Sequence, residues 1–129
     1  MSAGVFSSVL KFKENLPASC PPAGAGPKAY AAVWRFVNSN PITDKDFASY
    51  YALGKKPPPT VPLCRWASTS LFLTKEAAYK LLPKPRQRFK YIAQVSVTDK
   101  CGVSILKRSH IDFWRFDTFT PTVTAIETV

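Results

Sequence analysis

Proline constrains this chain more than any other residue type. Twelve prolines against five glycines in 129 residues leave little room for a long helix. A proline inside a helix removes a backbone donor and clashes with the preceding turn. Helices must therefore be short and the connections between elements stiff. So few glycines also make a glycine-rich, phosphate-cradling loop unavailable. Apolar types supply 46% of the chain, including nine Phe, five Tyr and three Trp. That is enough to close one core at the size of one ordinary domain.

The punctuation marks out the elements. Residues 17–28 carry four Pro and two Gly and read as a linker. They separate an N-terminal extension, 1–28, from a single α+β domain over 29–129. The extension holds an apolar stretch around Val5–Phe12. Residues 29–37 are aromatic and β-branched, as strands are. Thr43, followed by Asp44 and Asp46, predicts a capped helix reaching about Leu53. Cys64–Leu73 reads as a strand, and Thr74 caps a second helix over Lys75–Leu82. Tyr91–Val97 alternates cleanly, and Cys101–Leu106, Ile111–Phe116 and Val123–Val129 complete the set. The connections are mostly too short for parallel crossovers. The expected fold is α+β, with a mostly antiparallel or mixed sheet of about six strands and two short helices.

Charge points to a partner rather than to a fold. The net charge is +10, and residues 61–90, with seven basic side chains and one acidic, hold +6 of it. Lys80, Lys84, Arg86, Arg88 and Lys90 form the densest tract, helped by Lys55, Lys56 and Arg65. On an extended segment alternate residues share a face, so Lys84, Arg86, Arg88 and Lys90 could align against phosphates. Phe89, Tyr91, Trp66 and Trp114 could stack on bases. An acidic protein would satisfy the same charge. No run approaches the roughly 18–20 apolar residues of a membrane span.

The remaining chemistry is sparse. Cys20, Cys64 and Cys101 are widely spaced and odd in number, and read as reduced thiols of a cytosolic protein. The N-terminus does not read as a secretion leader. A cytoplasmic setting is expected, or delivery to a target cytoplasm without a conventional leader. One His and no Cys-x-x-Cys leave no zinc spacing, so no metal is expected. His110, Asp112 and Trp114 should share a strand face, where a His beside an Asp can act as acid or base. Arg115 and Asp117 on the other face read as an ion pair.

Arg35 lies in the first core strand between Trp34 and Phe36, and an Arg in that setting needs an anion or a carboxylate. Some thirty residues later comes Ser68-Thr69-Ser70. This order resembles the Arg, Ser-Thr-Ser, Glu pattern of ADP-ribosyltransferases, including small bacterial toxins of similar size. The resemblance implies that Arg35 binds the phosphates of a nicotinamide dinucleotide (NAD). Ser68, Thr69 and Ser70 would brace the nicotinamide pocket, and Tyr91 is among the aromatics that would flank the ring. A late carboxylate, Glu127, would support charge on the ribose, with His110 assisting. Glu127 has Ala125 two positions before it, where the family carries Glu or Gln, and Asp112 and Asp117 are the other acids that could take its place. The implied protein is a bacterial toxin or effector whose basic tract meets nucleic acid or an acidic antitoxin. The alternative is a non-catalytic nucleic-acid-binding module acting through residues 80–90.

Overall fold

The computed structural model describes residues 11–129, so most of the stretch read at Val5–Phe12 lies outside the described residues. Seven strands form among them. They are β1 (Gly26–Pro27), β2 (Tyr30–Val37), β3 (Thr69–Phe72), β4 (Tyr91–Val97), β5 (Gly102–Lys107), β6 (His110–Arg115) and β7 (Thr122–Thr128). They join in one sheet, in the order β1-β5-β6-β3-β2-β4-β7, and every pairing is antiparallel. Two short helices, α1 (Leu63–Trp66) and α2 (Lys75–Leu81), complete the α+β fold.

Strand alternation gives the sheet two apolar faces. Val33, Val37, Leu71, Ala93, Val95, Ile111 and Phe113 bury one face, closed by Phe47. Phe36, Phe72 and Ile92 bury the other against Ala78 of α2. Thr74 caps α2 by accepting the Ala77 N–H. Gly102 lies against β6, where any Cβ would overlap the Trp114 carbonyl oxygen. No helix among the described residues is long and apolar enough to cross a membrane.

Several expectations are corrected. The helix expected from Thr43 to Leu53 is a four-residue 3-10 turn, Asp44–Phe47. Thr43 does begin it: its amide and hydroxyl donate to the Asp46 carboxylate, and the Asp46 amide donates to the Thr43 carbonyl. The helix fails to extend because side chains take its amides. The Glu14 carboxylate accepts the Ser49 N–H at 2.9 Å and the Ser49 hydroxyl at 2.5 Å. The Ser49 hydroxyl oxygen in turn accepts the Ala52 N–H at 3.0 Å. The strand expected from Cys64 begins only at Thr69, because α1 occupies its start. Cys20 and Cys64 are not reduced thiols but form a disulfide, with Cα atoms 5.4 Å apart, and Cys101 is free and buried.

The segment read as a linker is fastened down. The disulfide holds it at Cys20, and Gly26 and Pro27 pair with Ser104 and Val103 of β5; ahead of it, Lys13 donates its amide to the Arg115 carbonyl at 3.0 Å. Arg115 does not pair with Asp117. Its side chain is 2% exposed and meets Asp44 at 2.9 Å and Glu14 at 3.1 Å.

Candidate functional site

β2 and β3 pair at only one registered position, Trp34↔Phe72. No further pair is registered beyond it, and the Ser70 carbonyl accepts Arg35 Nη1 at 2.9 Å. Arg35 Nε donates to the Asp46 carbonyl at 2.7 Å. That carbonyl is well held, because the Asp46 carboxylate accepts the Asn38 and Thr43 amides at 2.8 and 2.9 Å. The guanidinium lies 5.8 Å from the Phe47 ring centre. Burial lowers its pKa from 12.5 to about 10; nearby Tyr50 opposes the shift and Arg115 adds to it. Arg35 therefore stays cationic at neutral pH, with carbonyls as its hydrogen-bond partners and no carboxylate bound to it among the described residues.

A cleft of about 480 Å³ opens where β2 and β3 part. Arg35, Ser68 and Ser70 all line it. The Ser68 hydroxyl donates to the Arg65 carbonyl at 2.7 Å. Thr69 points the other way, as strand alternation requires, and its buried hydroxyl donates to the Phe47 carbonyl at 2.5 Å. Phe36, Tyr50, Phe72 and Phe89 give the cleft aromatic walls, and Lys45 and Arg88 bring further positive charge. The Arg88 guanidinium donates to the Tyr50 hydroxyl. A volume in the range of small-molecule pockets, aromatic walls and a few convergent cations suit a phosphorylated aromatic ligand.

Asp46 lines the cleft itself, and a second acid, Asp112, stands on the strand beside Ser70. It is in register with Ser70 across the β3–β6 ladder, as His110 is with Phe72, so both side chains share the face of the cleft-lining pair. Asp112 is 8% exposed and has Arg65 Nε at 3.7 Å and His110 Nδ1 at 3.4 Å. Its buried Oδ1 makes no hydrogen bond. Burial lowers the His110 pKa from 6.5; Asp112 opposes the shift and Arg65 adds to it. Trp114, on the same face, donates Nε1–H to the Cys64 carbonyl at 3.1 Å. His110 and Asp112 thus stand beside the cleft, outside its immediate lining.

Other residues singled out from the sequence lie elsewhere. Glu127 is on β7, with β2 and β4 between it and β3. Its side chain is 49% exposed and paired with Lys75, so it does not reach the cleft. Tyr91 pairs with Val37 and packs against the core. The tract 80–90 is not an extended row, because Pro85 starts a 3-10 turn over Pro85–Gln87, as proline at a first helical position favours. Arg88 is turned into the cleft, while Arg86 Nε donates to the Val129 carbonyl at 3.1 Å. Lys80, Lys84 and Lys90 are exposed. Lys45, Asp46 and Tyr50 belong to the site but were not legible as such, since the segment read as an ordinary capped helix. No family model, no curated protein and no solved structure matches the chain.

Proposed function

We propose that the cleft between β2 and β3 binds a nicotinamide dinucleotide, and that the chain is an ADP-ribosyltransferase-like toxin or effector domain. The observation that carries this reading is the convergence of Arg35, Ser68 and Ser70 on one cleft. Residues 33 to 35 positions apart in sequence meet there around a cation whose hydrogen-bond partners are carbonyls, with no carboxylate in direct contact among the described residues. Arg35 would take a phosphate with its free N–H groups, and Arg88 and Lys45 would add charge at the same wall. The aromatic walls would flank the nicotinamide, and the Ser70 hydroxyl would orient it. A bound dinucleotide would supply an ADP-ribosyl group and a pyridinium that departs as neutral nicotinamide. Asp112 would then face the positive charge that grows on the ribose, the kind of preorganised electrostatic contact that lowers such barriers. Asp112 takes this role in place of Glu127 because it lies on the strand flanking Ser70. The Cys20–Cys64 disulfide supports maturation in an oxidising compartment rather than in the cytoplasm.

Isothermal titration calorimetry of the full chain with the dinucleotide tests the reading. Micromolar binding is expected, with a loss of at least about tenfold for Arg35→Gln, one charge-assisted contact. Glu127→Gln should bind as the parent does. Where binding is found, nicotinamide release should fall in Asp112→Asn with affinity retained. No binding by the parent chain would sink the proposal.

A further inference from the structure

A second feature joins Tyr50, which lines the cleft, to Trp66, which does not. The Tyr50 and Trp66 rings stack with centres 4.9 Å apart and planes tilted by 39°. The local backbone holds the pair rigidly. Trp66 Nε1 donates to the Lys55 carbonyl at 2.8 Å, the Lys55 amide to the Tyr50 carbonyl at 3.0 Å, and the Tyr51 amide to the Trp66 carbonyl at 3.4 Å. Both rings remain partly exposed. Cations crowd around them. Lys55 Nζ lies 5.7 Å from the Tyr50 ring centre and the Arg88 guanidinium 5.6 Å. Lys45 lines the same cleft wall as Tyr50, and Lys56 follows Lys55 in the same exposed loop. None of these four cations forms an ion pair among the described residues. The two carboxylates beside Lys45 in sequence are committed elsewhere, Asp46 to backbone amides and Asp44 to Arg115 and Lys13.

We propose that the Tyr50–Trp66 pair, with Lys45, Lys55, Lys56 and Arg88 around it, binds single-stranded nucleic acid. Rigid, partly exposed aromatic rings give unpaired bases a stacking surface that is tolerant of sequence. Unneutralised lysines and an arginine beside them match a phosphodiester backbone. An acidic protein would use the charges but would gain little from the ring pair, and a duplex keeps its bases inside. This surface shares only Arg88 with the basic residues over 80–90, since Tyr50, Trp66, Lys45, Lys55 and Lys56 lie outside that tract. The proposal goes beyond the dinucleotide reading and does not depend on it.

Fluorescence anisotropy of the full chain with a labelled 12-nucleotide single strand of mixed sequence tests it. Binding should weaken by about 20- to 50-fold between 50 and 200 mM salt, for three or four phosphate contacts. Trp66→Leu should lose at least about fivefold, and Trp66→Phe should keep most of the affinity by keeping a ring. The doubly substituted Lys55→Gln/Lys56→Gln chain alters only exposed side chains, and should melt as the parent does while showing weaker binding and a shallower salt dependence. Arg35→Gln should retain the oligonucleotide even where it loses the dinucleotide, which separates failure of one proposal from failure of the other. Polyglutamate or duplex bound as tightly as the single strand would overturn the assignment. So would parent-like affinity and salt dependence in the double lysine variant.

Discussion

Two arginines on neighbouring parts of one sheet have opposite surroundings. Arg115, on β6, is closed in by carboxylates: Glu14 reaches it from the N-terminal segment and Asp44 from the 3-10 turn. Arg35, on β2, is held by the carbonyls of Asp46 and Ser70. Arg115 is buried and Arg35 partly buried, and only Arg115 has carboxylates in direct contact, while Asp46 and Glu14 act on Arg35 from a distance. A desolvated cation without a counter-ion weakens a fold, and the lowered pKa of Arg35 reflects that cost. The Arg115 region therefore reads as a fastening, joining the N-terminal segment to the sheet. The Arg35 region reads as a place kept ready for an anion.

Three experiments bear on this contrast, and the disulfide gives the largest effect. Cys20–Cys64 fastens the same N-terminal segment and spans 44 residues. The chain-entropy account gives about 4 kcal/mol for a loop of that length. Cys20→Ser should lower the unfolding free energy by that order in urea titration, and Glu14 should lose its hold on Arg115 at the same time. Loss of less than about 1 kcal/mol would mean that the segment is secured without the bridge. Next in size is the arginine pair itself. Arg115→Met leaves the Glu14 carboxylate, 10% exposed, beside an apolar side chain, while Asp44, 60% exposed, can rehydrate. A loss of about 3 kcal/mol is expected, at the lower end for breaking a buried pair. Arg35→Met removes an unanswered charge together with two hydrogen bonds, so its stability should change by about 1 kcal/mol or less, in either direction. Equal losses in the two variants would break the comparison.

The sequence allowed the sheet to be read but not the fastenings. Tyr91–Val97 was legible to the residue because its apolar positions alternate and both its faces are covered. α2 was legible because Thr74 caps it and Pro83 follows it closely. The segment after Thr43 misled because its cap is real while its continuation depends on Glu14, which lies 35 residues away from Ser49. The same holds for Arg115, whose partner Glu14 lies 101 positions distant. No local pattern carries such pairings, and three scattered cysteines do not announce which two will meet. On the site side, Arg35 with Ser68 and Ser70 was legible because an arginine between aromatics on a strand is out of place there. Tyr50 was not, since nothing local distinguishes it from a helical surface residue. The resemblance points to Glu127 for its late position in the chain, but sheet order, not chain order, decides which acid flanks Ser70.

The smallest effect concerns the acid side of the cleft, and asks whether Asp112 is answered like Arg115 or left open as Arg35 is. His110 is the chain's single histidine, so its titration can be assigned. Its folded pKa lies below the ordinary 6.5, because burial disfavours the imidazolium; Asp112 partly restores it and Arg65 depresses it further. The unfolded chain thus binds more protons than the folded one as pH falls below about 6.5. By linkage, stability should be fully present above that pH and decline as the pH falls through the folded pKa. Melting curves taken from pH 7.5 to 5 should show the decline in the parent chain and a flatter profile in His110→Gln. Asp112→Asn removes the one contribution that favours the imidazolium, so the decline should extend to lower pH than in the parent. If Asp112→Asn instead leaves the profile unchanged, the carboxylate is already neutralised by Arg65, and the acid beside Ser70 is a closed ion pair of the Arg115 kind. A shifted profile leaves Asp112 with charge to spare beside the cleft, the counterpart of the unanswered cation at Arg35.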